Sequence, residues 1–583
     1  MHWLDWVVIG AYLAWMLGLG VWLSRRAASS ASEYLVAGRR LRWWTIGLSD
    51  VASDAGGDAY WVLVISSAAM MGFYRLWWLS SVVALAVAIP WARYWRRLRL
   101  LSNGELFEVR YGGVAAGRFR SFNAIYGALF SKALVLGYVL RAFAQVMAPF
   151  LGWDPDVVLL VFGGASLAYT VMSGLLGVAY TDMPQFGLLM LGRVVLAALA
   201  VGAAGGMVAV LDGVEAARGA EFLRPFPPSP GGLHGDFEVD AWSVLALLVS
   251  GFFGASGAGS AAVQRSLAAR SEWDAAMGQV FAACLSLVVR AAPMICIGLA
   301  AVALFPAGDV AGGDMWGELV RRLAGPGVLG LILVGILAGY MSTIDTMLNL
   351  MTAGLFNDVY LRHLRPGASA REQVWFCQGA TVAVTGIGVL WGWFLVKEIN
   401  ADWLSFINTV FGVFVLPLSL LRWVWWRLNI WGEVVGYTLG APLGWVVWFA
   451  LDFKSAPYWQ SFLLLFTLGW IMILGVTLLT RPEPPEVLAA FYQRVRPPGF
   501  WGPVRAELSA QERAVHRAEA RLDLGATLGA LAACAGMVGG LSAAFARAWG
   551  WVWVMIALLA VGGAVFVVLT ARAERRRRAQ EAS

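Results

Sequence analysis

Apolar windows of roughly 20 residues, long enough to cross a bilayer core as a helix, recur from end to end of this 583-residue chain. They fall near 4–23, 43–72, 75–95, 122–150, 156–177, 182–205, 241–264, 274–305, 327–356, 373–396, 402–424, 430–452, 458–480, 524–546 and 549–571, fifteen in all. The longest polar pieces between them are about 206–240 and about 481–523, so no sizeable soluble domain is left over. A water-soluble core cannot absorb this apolar surface: 60% of residues are hydrophobic and 14% charged, against about 45–50% and about 25% in soluble chains. The pattern calls for an all-α polytopic membrane protein. It excludes a nucleic-acid binder, a secreted disulfide scaffold and a disordered chain. The first window has neither a basic segment before it nor a small-residue cleavage site after it, so it reads as a retained helix.

Cytoplasmic loops carry the excess of Lys and Arg. With the N-terminus outside, the inside loops hold 31 basic residues and the outside segments 8, while Lys132, Arg141, Arg193 and Arg290 fall within spans. The expected topology is N-out/C-in in a plasma membrane of the bacterial cytoplasmic kind. The net charge of +7 is then mostly a topology signal. The run Arg575–Arg578 reads as a cytoplasmic stop, with anionic-lipid contact as a second role.

An odd span count permits two five-helix repeats of inverted topology. Spans two to six (43–205) and seven to eleven (241–424) would form them, separated by an extracellular loop at 206–240. An extra helix and cytoplasmic loop (1–42) would precede them. Two peripheral helices (425–480), a cytoplasmic linker with an amphipathic helix (481–523) and two C-terminal helices with a basic tail (524–583) would follow. In such folds broken helices in corresponding places mark a midplane binding site. Span two contains Ser53-Asp54-Ala55-Gly56-Gly57-Asp58, and span seven contains Gly254-Ala255-Ser256-Gly257-Ala258-Gly259-Ser260. Close helix packing through small residues is the other reading.

An aspartate at the centre of a membrane helix costs about 2.5–3.5 kcal/mol, so each asks for a partner or a purpose. Asp54, Asp58, Asp182 and Asp345 stand in such places. Unwinding at Gly56-Gly57 would free carbonyl oxygens for a hard cation. In span nine Ser342, Asp345, Thr346 and Asn349 follow i, i+3, i+4, i+7 spacing, with Thr343 at the edge of the stripe. Hydroxyls in membrane helices often bond back to their own carbonyls. An aspartate and an asparagine on the same face favour contact with an ion or substrate.

Other chemistries find no foothold. The four cysteines sit in apolar stretches without CxxC spacing, which suggests neither disulfides nor a zinc site. The four histidines are terminal or in polar loops. No Gly-Lys-Ser/Thr phosphate loop occurs, and an enzyme is not expected. Lys132 and Arg141 lie nine apart on span four, on different faces. Either could neutralise a carboxylate. Arg141 facing a cavity would favour an anionic substrate, and an unpaired Asp58 a cationic or zwitterionic one.

Four stretches in order carry a resemblance: Ser32-Glu33-Tyr34-Leu35-Val36-Ala37-Gly38-Arg39, Ser173-Gly174-Leu175 through Thr181-Asp182-Met183-Pro184-Gln185, Gln264-Arg265-Ser266-Leu267-Ala268-Ala269-Arg270, and Met341-Ser342-Thr343 through Asn357-Asp358-Val359-Tyr360. Together, over roughly 4–480, the chain resembles the sodium:solute symporter family. The resemblance implies the five-plus-five inverted-repeat (LeuT-like) fold. It also implies sodium-coupled import of a small organic solute by alternating access, with Na+ co-transported and no organic cofactor. A first sodium would take the carbonyls of Ala52, Ala55 and Gly339 and the hydroxyls of Ser342 and Thr343. A second would draw on Asp182, Ser342, Asp345 and Thr346, with a carboxylate at 345 where members with such a site can use a hydroxyl.

Departures from the family's sugar transporters narrow the expected solute. The stretch after the break is Ala59-Tyr60-Trp61, and the third span has no carboxylate. An amino acid or carboxylate is therefore expected before a sugar. The gate region Phe252-Phe253-Gly254-Ala255-Ser256 is small toward its end, which suggests a roomier pocket or a gate made by Tyr60 or Trp61. Candidate substrate or coupling residues are Asp54, Asp58, Tyr60, Phe252, Ser256 and Arg141. A proton-coupled carrier, with Asp54, Asp58 or Asp182 titrating, and a non-transporting solute sensor remain alternatives. Expected partners are the solute, Na+ and the bilayer, with no nucleic acid and a monomer as the simplest assembly.

Overall fold

Within a bilayer every backbone N–H and C=O must be satisfied inside the protein, which leaves helices and closed barrels. The computed structural model describes residues 1–27, 39–54, 70–223, 241–254, 261–305, 315–394 and 406–582, and every regular element among them is a helix. The first part of the chain forms α1 (Trp3–Ala27), α2 (Trp43–Asp54), α3 (Met70–Leu98), α4 (Glu105–Tyr111), α5 (Gly113–Leu151), α6 (Pro155–Ala203) and α7 (Met207–Arg218). The second part forms α8 (Ala241–Gly254), α9 (Ala261–Leu267), α10 (Glu272–Leu304), α11 (Met315–Leu323), α12 (Val328–Leu364) and α13 (Ala370–Phe394). There follow α14 (Leu416–Val424), α15 (Ile430–Trp445), α16 (Tyr458–Leu479), α17 (Pro485–Val495), α18 (Gly502–Ala506), α19 (Ala510–Phe545) and α20 (Trp549–Ala582). Among the described residues nine helices are long and apolar enough to cross a membrane, with shorter apolar pieces at Pro155–Val171, Leu245–Gly254 and Thr409–Val424.

The windows at 156–177 and 182–205 merge into one helical run, α6, but it is not straight. Twelve residues of straight helix would separate Tyr169 from Thr181 by about 18 Å. Instead the Tyr169 hydroxyl donates to Thr181 Oγ1 at 2.6 Å. Thr170 and Asp182, in turn, both reach the same turn of α12, at Asp345 and Ser342. The run therefore consists of two arms, ending near Thr170 and starting near Thr181, that are not collinear. The two arms of α6 clasp α12 between them.

Two further contacts tie the ends of the chain to this bundle. Asp5 on α1 accepts from the amides of Gly327 and Gly330 at 2.8 and 2.9 Å, satisfying orphan donors at the start of α12. A Cβ on Gly330 would stand 2.7 Å from the Asp5 Cα, so only glycine permits this approach. At the other end of the chain, α19 starts at Ala510 on a capping box of Ser509 and Glu512, well before its apolar window at 524. It pairs with α20 through Gly529 and Gly562, where an added Cβ would meet the opposing backbone at 2.7–2.8 Å. This hairpin lies against α3, and Asp523 takes the Arg93 guanidinium at 2.5 Å and the Tyr94 hydroxyl at 2.8 Å.

The segment expected as a linker is likewise packed. On α17, Leu488, Phe491, Tyr492 and Val495 are buried in a cluster with Trp95, Trp423 and Trp501. This is the amphipathic helix anticipated there, docked on the protein core.

Candidate functional site

The polar stripe of α12 sits at the centre of the molecule. Ser342, Asp345, Thr346 and Asn349 are at most 3% exposed. Three other elements bring polar groups to it. Asp182, on the second arm of α6, accepts from Ser342 Oγ at 2.5 Å and from the Ser49 hydroxyl on α2. Ser53, one helical turn after Ser49, lies 2.8 Å from Thr346 Oγ1. Arg265 on α9 threads between them: its Nε donates to Ser49 Oγ at 2.8 Å, and its Nη2 to Thr346 Oγ1 at 2.9 Å and to Ser53. The same nitrogen stands 3.4 Å from the Asp182 carboxylate.

Asp345 points away from this knot. Its Oδ1 accepts from Thr170 on the first arm of α6, and its Oδ2 is buried with no hydrogen-bond partner among the described residues. Asn349 bonds back to the Asp345 carbonyl at 2.9 Å. On the α1 side, Gln185 donates to the Tyr12 hydroxyl at 3.4 Å, and that hydroxyl donates to Met341 Sδ at 3.6 Å. Of two fully buried carboxylates, Asp182 thus meets a guanidinium, while Asp345 meets no cation among the described residues. Such an imbalance is expensive in a dry interior, and one monovalent cation would remove it.

A sequence profile of the sodium:solute symporter family matches residues 34–440. The chain belongs to that family. A sodium/mannose cotransporter of Bos taurus is 25% identical over 476 residues, covering 75% of this chain and 78% of the relative. The sodium/proline symporter of Haemophilus influenzae is also 25% identical, over 519 residues that cover 82% and 95%. The solved structure of a Na+-coupled sialic acid symporter, substrate-bound and outward-open, superposes with a TM-score of 0.68 at 21% identity. It covers 82% of this chain and 98% of that one, and so gives the fold.

Within this symporter four of the residues expected at a first sodium site lie on two helices that touch. Ala52 is buried on α2 beside Ser53, and Gly339, Ser342 and Thr343 are buried on α12. Thr343 Oγ1 donates to the Gly339 carbonyl at 3.1 Å. Ala55, Asp58, Tyr60, Trp61 and Ser256 lie outside the described residues. Of the second-site residues, Asp182 and Thr346 meet through Arg265, while Asp345 turns toward Thr170.

The remaining candidates are spread out. Asp54, at the end of α2, is paired with Arg290 of α10 at 3.0 Å, and its carboxylate is 69% exposed. Arg141 is paired with Asp156 in the first turn of α6, apart from the central knot. Phe252 is 41% exposed on α8, and its neighbour Phe253 packs against Phe466 and Trp470 of α16.

Several members of the site were not anticipated. Arg265 counts as a loop charge in the topology argument, yet it is 2% exposed at the centre. Its signal was the Gln264-Arg265 motif directly after the Gly-interrupted stretch of span seven. Ser49 and Ser53 form an i, i+4 hydroxyl pair that repeats the α12 pattern in miniature. Asp50, a further carboxylate on α2, accepts from Gln279 of α10 at 3.3 Å.

Proposed function

We propose that this symporter uses inward Na+ flow to import a small organic solute by alternating access. The observation that carries the reading is the excess buried carboxylate: Asp182 and Asp345 against Arg265, with Asp345 Oδ2 left unpartnered. Sodium takes hard oxygen ligands, and serine and threonine hydroxyls line the same turn of α12. A first Na+ would bind where α2 ends against α12, at Ala52, Ala55, Gly339, Ser342 and Thr343. A second would bind among Asp182, Asp345 and Thr346. The N-out/C-in orientation and the five-helix repeats at 43–205 and 241–424 belong to the same reading.

For the solute we infer an amino acid or carboxylate. Relatives of equal identity are named for mannose and for proline, so likeness alone does not choose. Two features support the inference: α3 has no carboxylate with which to hold sugar hydroxyls, and the Asp54–Arg290 pair stands at the end of α2 with one exposed charge. A zwitterion has complementary groups for both members of that pair.

Uptake of amino acids, carboxylates and sugars into proteoliposomes, each with a Na+ gradient, a pH gradient or neither, tests this. Amino-acid or carboxylate uptake that requires Na+ is expected. Asp345 Oδ2 would also suit a bound proton, so uptake that persists without Na+ and collapses with the pH gradient assigns proton coupling instead. Binding without flux under every condition would make the protein a sensor.

A further inference from the structure

At the end of the bundle where the basic loops gather, a second cluster of charge surrounds a cavity of about 530 Å³. Its walls hold six arginines: Arg96 and Arg97 from the end of α3, Arg99 just beyond it, Arg270 between α9 and α10, Arg494 of α17 and Arg577 of α20. Two carboxylates, Glu272 and Glu574, share the lining, and Asp274 pairs with Arg270 at 3.1 Å. Three positive charges are left over.

The hydrogen bonding keeps that charge unneutralised. Arg96 donates to the carbonyls of Ala269 and Arg270, and Arg494 to the carbonyl of Leu98. These bonds orient the guanidinium groups without cancelling their charge. Among the described residues Arg99 makes no ion pair. Glu272 is already shared by Arg93, Arg97 and Arg577, at 3.6, 3.0 and 3.3 Å. Burial pulls the Arg494 guanidinium below its ordinary value, and repulsion from Arg99 and Arg39 adds to this.

Guanidinium groups fixed by carbonyls and turned toward one cavity match the oxygens of a phosphate, which arginine binds bidentately. The cavity is larger than a phosphate ion and in the range of small-molecule sites. Its height favours one source for the phosphate. Arg96–Arg99 follow the apolar length of α3, and Arg577 follows that of α20, so the cavity stands where two membrane helices turn basic. We propose that it holds the headgroup of an anionic phospholipid, which ties the C-terminal hairpin to α3, to the α9–α10 junction and to α17. The site is separate from the ion and solute pathway. Two elements join it to that pathway: α9, whose Arg265 lies five residues before Arg270, and α10, which starts at Glu272 and carries Gln279 and Arg290 against α2.

The full chain, purified and placed in nanodiscs of phosphatidylglycerol or phosphatidylcholine, tests the assignment by melting temperature and by lipid retained in native mass spectrometry. Phosphatidylglycerol is expected to be retained selectively and to raise the melting temperature. Arg99→Gln with Arg494→Gln removes two of the excess charges while leaving every carboxylate pair intact. Retention should fall by about 30-fold, at about 1 kcal/mol for each basic residue near a membrane surface. Arg513→Gln with Arg517→Gln, the same charge change elsewhere on α19, should retain lipid like the unaltered protein. Equal retention of the two lipids by the unaltered protein would overturn the proposal whatever the variants do. So would undiminished retention in a folded Arg99/Arg494 variant. Stabilisation by inorganic pyrophosphate, with none from phosphatidylglycerol, would assign the site to a soluble phosphate and overturn the lipid.

Discussion

The two charge clusters are unbalanced in opposite senses. At the centre, one guanidinium, Arg265, pairs with Asp182 while the neighbouring Asp345 has no cationic partner among the described residues, and all three groups are at most 2% exposed. At the basic end, one carboxylate, Glu272, serves Arg93, Arg97 and Arg577, beside a cavity open to its surroundings. The first arrangement leaves a buried negative charge that a small cation would balance; the second borders a cavity large enough for an anion. Each imbalance is tolerable only if something from outside completes it. In the centre, on the function proposed above, the missing charge would be a coupling ion, free to come and go. At the rim it makes the missing charge an anchor.

The sharpest way to break the comparison is to remove the central cation. Arg265→Ala strands Asp182 in a dry site, and breaking one partner of a buried pair costs about 3–5 kcal/mol. A large fall in thermal stability and loss of Na+-driven uptake are expected. Arg265→Met combined with Asp182→Leu replaces the pair by apolar groups, so stability should largely return while uptake stays lost. Full uptake in the double variant would reduce the pair to a structural feature.

At the rim the same operation should matter less. Glu272→Gln takes a carboxylate from Arg97 and Arg577 while Arg93 keeps Asp523, and since the carboxylate is 21% exposed solvent screens part of the cost. About 1–3 kcal/mol of destabilisation is expected, with the Na+ dependence of uptake unchanged. A shift in Na+ dependence would show that the rim and the centre are coupled through α9. Smaller still is the stability effect of Asp345→Asn, which removes the excess negative charge. The variant should melt within about 1 kcal/mol of the unaltered protein yet take up fewer Na+ per solute, measured as a sodium-to-solute flux ratio.

What the sequence revealed about these clusters follows from the range of each signal. The α12 stripe was legible because helical periodicity is local: four polar residues in an apolar run define a face without any partner. The clasp of α6 was legible in part: 156–177 and 182–205 read as two successive spans, which calls for a reversal between them, but only tertiary contacts, Thr170 to Asp345 and Ser342 to Asp182, reveal that both arms hold α12. Arg265 was hidden for a related reason. An arginine at the end of an apolar window counts as a topology signal unless its partners are known, and Ser49, Asp182 and Thr346 come from three other helices. The start of α19 at Ala510 was readable from Ser509-x-x-Glu512, a capping box, but hydropathy measures lipid-facing surface and passes over a helix that begins in polar sequence.

The subtlest distinction lies within α12 itself, between Ser342 and its neighbour Thr343. Ser342 donates its hydroxyl across the interface to Asp182, whereas Thr343 donates to the Gly339 carbonyl of its own helix. Losing either hydrogen bond costs stability by about 0.5–1.5 kcal/mol, so melting will not separate them. Sodium should. If both hydroxyls bind the first Na+, Ser342→Ala and Thr343→Ala each remove one oxygen ligand, and half-maximal uptake should need about tenfold more Na+ for each lost 1.4 kcal/mol of binding. Ser342→Ala should do more, because it also releases Asp182 from one of its three partners and lets Arg265 hold the carboxylate more closely. A Na+ dependence unchanged in Ser342→Ala would remove the first-site assignment, and an effect confined to Ser342 would move the ion toward Asp182.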